Sequence, residues 1–149
     1  MSKELPKPKE SQAKALEKQA FALADFMYGL LDEFPEDEKW VTSQKLRISA
    51  NDLLYYTAQA IGNITPSGTE YEWANASKHG TALRTLYIFA ARQKFIDLDP
   101  NIVVKLDKLL QEINHQSQLV KKRITAANEK EHKLWREKYK QWKAMNNEG

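Results

Sequence analysis

Residues 101–148 read NIVVKLDKLLQEINHQSQLVKKRITAANEKEHKLWREKYKQWKAMNNE, without a glycine or a proline. Ile102, Leu106, Leu109, Ile113, Val120 and Ile124 recur along it at helical intervals. Such spacing puts them on one face of a helix. An unbroken helix of roughly 45 residues would be about 65 Å long at 1.5 Å per residue. The earlier elements are shorter, so this last helix is expected to run past the body it packs on.

Working outward from it, Ile96 to Pro100 forms a break, with Asp99 or Asn101 as a candidate cap. Before the break, Trp73, Ala76, Gly80, Leu83, Tyr87 and Ala90 make a third-helix stripe, with Thr69 and Glu72 spaced as a capping box at its start. Gly80 in mid-helix costs roughly 1 kcal/mol against Ala, which a close helix crossing would offset. Gly62-Asn63 and Thr65-Pro66-Ser67-Gly68 punctuate the chain ahead of it. The second helix is expected from Pro35, with Glu36, Asp37 and Glu38 in its first turn, to about Ile61, burying Leu46, Ala50, Leu53, Thr57, Ala60 and Ile61. The first follows Ser11 and carries Leu16, Ala20, Leu23, Met27, Leu30 and Leu31 until Phe34-Pro35 stops it. Short connections make neighbours antiparallel. The expected fold is all-α: an antiparallel up-down four-helix bundle over residues 11–124, a flexible lead-in over 1–10, and a basic helical C-terminal extension over 125–149.

Composition narrows the chemistry. The 149 residues include no cysteine, so disulfides, thiolate nucleophiles and zinc–thiolate centres are excluded. No apolar run is long enough for a membrane span. The N-terminus, Met1-Ser2-Lys3-Glu4-Leu5-Pro6, has no apolar signal core. A cytoplasmic location is the expectation. Glu112-x-x-His115 and Glu129-x-x-His132 match half of a di-iron pattern, but they fall on one helix, roughly 25 Å apart. They read as surface pairs, and no metal or cofactor is expected. His79 has no carboxylate or thiol constellation around it in sequence, and Ser43 and Ser77 lack a nucleophile elbow. No catalytic residue is assigned, and the chain is not expected to be an enzyme.

Charge is distributed unevenly. Residues 1–120 hold 14 Lys/Arg against 16 Asp/Glu, whereas residues 121–149 hold 9 against 4. Lys121, Lys122 and Arg123 open the basic segment, and Lys130, Lys133, Arg136, Lys138, Lys140 and Lys143 continue it. Trp135, Tyr139 and Trp142 lie at i, i+4 and i+7, on one helix face. Cations with aromatics suit single-stranded nucleic acid. An apolar seam also suits a partner protein, an oligomer contact or packing back on the same bundle. A membrane surface is disfavoured by the interleaved glutamates. Within the bundle, Arg47, Arg84, Arg92 and Lys94 are candidates for a partial basic face, against a solvated or carboxylate-paired one.

The segments Phe34-Pro35-Glu36-Asp37-Glu38 and Thr42-Ser43-Gln44-Lys45-Leu46-Arg47, with Ala82-Leu83-Arg84 and the break Ile96-Asp97-Leu98-Asp99-Pro100, resemble a bacterial family over about residues 20–124. This family comprises the four-helix-bundle proteins of ribosomal-RNA intervening sequences and the accessory variability proteins of diversity-generating retroelements, with the likeness closer to the accessory branch. The resemblance implies a homopentamer. For the accessory branch it also implies binding to a reverse transcriptase and its template RNA, with Arg47 and Arg84 at matching positions and no catalysis by the bundle. For the intervening-sequence branch the alternative is a protein-interaction bundle with no nucleic-acid role.

Overall fold

The computed structural model describes residues 5–147; residues 1–4 of the expected lead-in and 148–149 of the expected extension lie outside them. All regular structure among the described residues is helical. Helix α1 spans Glu10–Gly29 and continues into a single 3-10 turn, Leu30–Glu33. Helices α2, α3 and α4 span Thr42–Gly62, Pro66–Arg92 and Pro100–Asn147. Helix α1 packs on α2, α2 on α3 and α3 on α4, while α1 and α4 touch only lightly.

Each sequence stripe becomes a core face. Leu16, Leu23 and Met27 of α1, Leu46 and Leu53 of α2, Trp73, Leu83 and Tyr87 of α3, and Leu106, Leu109 and Ile113 of α4 enter one cluster. Asp99 caps α4: its carboxylate accepts the Asn101 N–H at 2.9 Å, directly before Pro100 in the first helical position. The preceding loop is tied to the core, because the buried Tyr87 hydroxyl accepts the Asp99 N–H at 2.8 Å. At the other end of the bundle, the Lys7 ammonium donates to the Ile61 and Asn63 carbonyls. A cation there matches the negative end of α2.

Three boundaries differ from the periodicity reading. Residues 35–41 form turns, and α2 begins only at Thr42. The Thr42 hydroxyl donates to the Glu38 carboxylate at 2.8 Å, and the Ser43 hydroxyl donates to the Lys39 carbonyl. These local side-chain bonds hold the acidic run as a turn ahead of the helix rather than as its first coil. Helix α3 starts earlier than the Thr69–Glu72 spacing implies, at Pro66 with Thr65 as N-cap. Proline suits that first position. Thr69 is fully buried, and its hydroxyl reaches the Asn63 carbonyl at 3.3 Å. Finally, α1 begins at Glu10, with Lys9 rather than Ser11 before it.

Gly80 sits where α3 meets two helices. A β-carbon there would lie 2.5 Å from Leu110 Cδ2 and 3.3 Å from Leu53 Cδ1. Gly80→Val is therefore expected to lower stability by about 2–3 kcal/mol through overpacking, read as the urea midpoint. Gly80→Ala should come out nearer neutral. Its helix-propensity gain of about 1 kcal/mol opposes the contact, and the Leu110 methyl that it meets is the end of a flexible side chain.

Helix α3 ends in a Schellman arrangement: Lys94 N–H to the Ala91 carbonyl at 2.9 Å, Phe95 N–H to the Ala90 carbonyl at 3.0 Å. Closing it requires the left-handed region, and Lys94 has φ of 63°. A non-glycine residue there costs about 1–2 kcal/mol. Lys94→Gly is expected to raise the thermal midpoint, with a gain of about 1 kcal/mol; a lowered midpoint would contradict this account of the turn.

Candidate nucleic-acid interface

Helix α4 divides at Val120. That residue is the last buried one; Arg123 and Ile124 are half-buried, and every described residue from Thr125 onward is exposed. The helix nevertheless continues to Asn147. Trp135, Tyr139 and Trp142 are 63%, 47% and 56% exposed, so they form no part of the core. Their rings stack in series, with centroids 5.4 Å apart at 7° for Trp135–Tyr139 and 6.0 Å apart at 24° for Tyr139–Trp142. Leu134 and Met145 are also exposed beside this seam.

Four cations of this segment occupy a different face. Lys133, Arg136, Lys140 and Lys143 follow one another at three- and four-residue steps, one row along the helix. At about 100° per residue that row lies roughly opposite Leu134, Trp142 and Met145. All four are exposed. Among the described residues the ion pairs are Lys14–Glu10, Lys39–Glu36 and Arg84–Asp107; none uses a cation of this row. Exposed cations without local carboxylate partners suit a diffuse anionic ligand.

The bundle cations are arranged otherwise. The Arg84 guanidinium is held by Asp107, with Nε 2.6 Å from one carboxylate oxygen and a second nitrogen 3.4 Å from the other. Arg47 lies over the Tyr28 ring, its guanidinium carbon 4.7 Å from the centroid, and its buried Nε has no acceptor. Arg92 is exposed in the last turn of α3, and Lys94 is exposed just beyond it. Both precede Pro100, so the length of α4 puts them about 50 Å from Lys133. Lys121 and Lys122 are exposed where α4 leaves the core. The structure thus gathers Lys133, Arg136, Lys140 and Lys143 into one row, with Lys121 and Lys122 further back on the same helix. It does not bring Arg47, Arg84, Arg92 and Lys94 to that row.

Two groupings escaped the sequence reading. Lys18 of α1 with Lys105 and Lys108 of α4 rims an apolar groove of about 340 Å³ floored by Ala22, Leu23 and Ile102. The groove exists because α1 and α4 touch only lightly, a tertiary fact; the i, i+3 spacing of Lys105 and Lys108 was its one sequence signal. Second, His79 does have a carboxylate beside it. Its Nδ1 lies 3.6 Å from Asp52, and its ring stacks on Tyr56 with centroids 5.3 Å apart. Burial, with Tyr71 and Asp52 nearby, holds the Tyr56 phenol above its ordinary pKa. Asp52 and His79 are on different helices, so spacing alone could not pair them.

Among the described residues, no three His, Asp or Glu side chains come together where a metal ion could be held. No described helix is long and apolar enough to cross a membrane. No family model matches the chain, and no curated protein matches it.

Proposed function

We propose that the protein is a non-enzymatic, cytoplasmic accessory protein that binds RNA through the exposed part of α4. The observation that carries this reading is the row Lys133, Arg136, Lys140 and Lys143, solvent-facing and without ion-pair partners among the described residues, on a helix that has left the core. Contacts from such a row go mainly to phosphates, which position the ligand but carry little sequence information. Arg84 is a weaker contributor, since Asp107 already matches its charge. The resemblance to accessory variability proteins supplies the rest of the reading: a reverse transcriptase as protein partner, its template RNA as ligand, and a homopentamer as the assembly. A ring of copies would multiply weak basic surfaces by avidity.

The scaffold in this reading is an up-down antiparallel bundle whose last helix projects from it. Two α3–α4 contacts support that direction. Ser77 bonds Asn114 at 2.8 Å, and Arg84 bonds Asp107 at 2.6 Å; seven residues forward on α3 correspond to seven residues back on α4.

The test compares the full chain with one ending at Ile124, which keeps every buried residue. Only the full chain is expected to retain single-stranded RNA at low salt. Equal retention by both would remove the arm from the account. Loss of reverse-transcriptase binding with RNA binding intact would make the arm a protein-docking helix instead.

A further inference from the structure

The apolar stripe of α4 does not end where the bundle ends. From Val120 the same face continues through Ile124, Ala127, the adjacent Leu134 and Trp135, Trp142 and Met145 in steps of three, four or seven residues, because one uninterrupted helix carries the phase across. Two charged residues interrupt it, Glu131 and Lys138, seven residues apart on the same line. A single helix of this polarity has little reason to persist alone in water. An exposed aromatic seam of this length is the mark of an interaction surface.

We infer that a second copy of this chain covers this seam, its arm running antiparallel. The stripe is complementary to itself about a two-fold axis between Leu134 and Trp135. With the arms reversed about that point, Glu131 of each faces Lys138 of the other, so both interruptions are neutralised at once. Small Ala127 meets large Trp142, and Ile124 meets Met145, which fills the seam evenly along its length. This is the self-complementary contact that two-fold symmetry requires. A parallel pairing in register would instead set Glu131 against Glu131, Lys138 against Lys138 and Trp142 against Trp142.

The geometry of the chain permits it. From Ile124 to Asn147 the arm is about 35 Å long, so each C-terminal end reaches the point where the other arm leaves its bundle, with the two bundles at opposite ends. The row Lys133, Arg136, Lys140 and Lys143 stays outside the pair, on its two outer faces. The inference does not rest on RNA being the ligand.

The experiment measures the molar mass of the full chain by light scattering, without RNA. The wild-type mass per assembly is expected to be twice that of the chain ending at Ile124. Glu131→Lys and Lys138→Glu each place like charges opposite one another twice, and each should weaken pairing at least ten-fold. The double variant E131K/K138E restores both pairs and should recover the wild-type mass. These positions are exposed and lie beyond the last buried residue, so the denaturation midpoint of the bundle should be unchanged in all three.

Orientation is read separately, because the chain has no native cysteine. Under oxidation, A127C mixed with W142C should cross-link, while A127C by itself should not. Equal masses for the wild type and the Ile124-terminated chain would overturn the proposal, leaving the seam to a different protein. Single variants that pair like the wild type, a double variant that does not recover, or self-cross-linking of A127C would each overturn it as well.

Discussion

Replacing Lys133, Arg136, Lys140 and Lys143 together by glutamine is expected to lower affinity for single-stranded RNA by at least about 50-fold at 50 mM salt. It should also nearly abolish the salt dependence of what binding remains. The size follows from counterion release. Each phosphate neutralised on a single strand contributes about −0.7 to the slope of log affinity against log salt, so four contacts give a slope near −3. Between 50 and 200 mM salt such a slope removes roughly 50-fold in affinity, so the row supplies at least that much of the affinity at 50 mM. The substitutions are all on the exposed arm, beyond the last buried residue. Stability of the bundle should therefore stay within about 0.5 kcal/mol of wild type. A variant that binds as tightly as wild type, with the same salt slope, would move the RNA contact off this row.

The second large effect lies in the core. Trp73→Ala is expected to destabilise the protein by about 3–5 kcal/mol, a large share of the roughly 5–15 kcal/mol that holds a typical domain together. Trp73 is 1% exposed and is among the largest fully buried side chains, on the face of α3 that joins the shared core. Helix α3 packs against both α2 and α4, so a void there removes contacts from the element that links the rest. Chemical denaturation followed by helical circular dichroism measures it. The other three tryptophans, Trp40, Trp135 and Trp142, are 75%, 63% and 56% exposed. Trp40→Ala should change the midpoint little, since Trp40 lies outside both the core and the arm seam, and a comparable loss from it would show that the core is misplaced.

The number of helices and their buried faces were legible in the sequence because they rest on local spacing. Leu16 to Met27, Leu46 to Ala60, Trp73 to Ala90 and Ile102 to Val120 all repeat at helical steps, and each stripe is the buried face of its helix. The breaks at Phe34-Pro35 and Ile96 to Pro100 were equally local, and of the two candidate caps there, Asp99 and Asn101, it is Asp99 that caps α4. What spacing could not see were competing bonds a few residues apart. Thr42 to Glu38 and Ser43 to Lys39 keep residues 35–41 in turns, where charge alone favoured a helix start. The Thr69–Glu72 pair had the form of a cap, but Thr69 is buried a full turn inside α3.

The exposed basic arm was legible in composition but not in arrangement. The basic count of residues 121–149 and the Trp135, Tyr139 and Trp142 spacing pointed to the arm. Placing the cation row opposite the apolar stripe required the whole of α4 to be one helix in one phase. The pairing of Arg84 with Asp107, the Lys18–Lys105–Lys108 groove and the His79–Asp52 contact each join two helices. No reading along a single segment reaches such contacts. They also explain why cations that look alike in the sequence differ in the structure: Arg84 is already paired, while Lys133 and Lys140 face solvent.

The central claim is that the exposed part of α4 binds RNA through its phosphates. The most direct measurement is the affinity of the purified full chain for a single-stranded RNA, taken across a salt series from 50 to 200 mM. The account predicts measurable binding at the low end and a log–log slope of about −3, both absent from the chain ending at Ile124. A flat response to salt, or no binding at 50 mM, would contradict it.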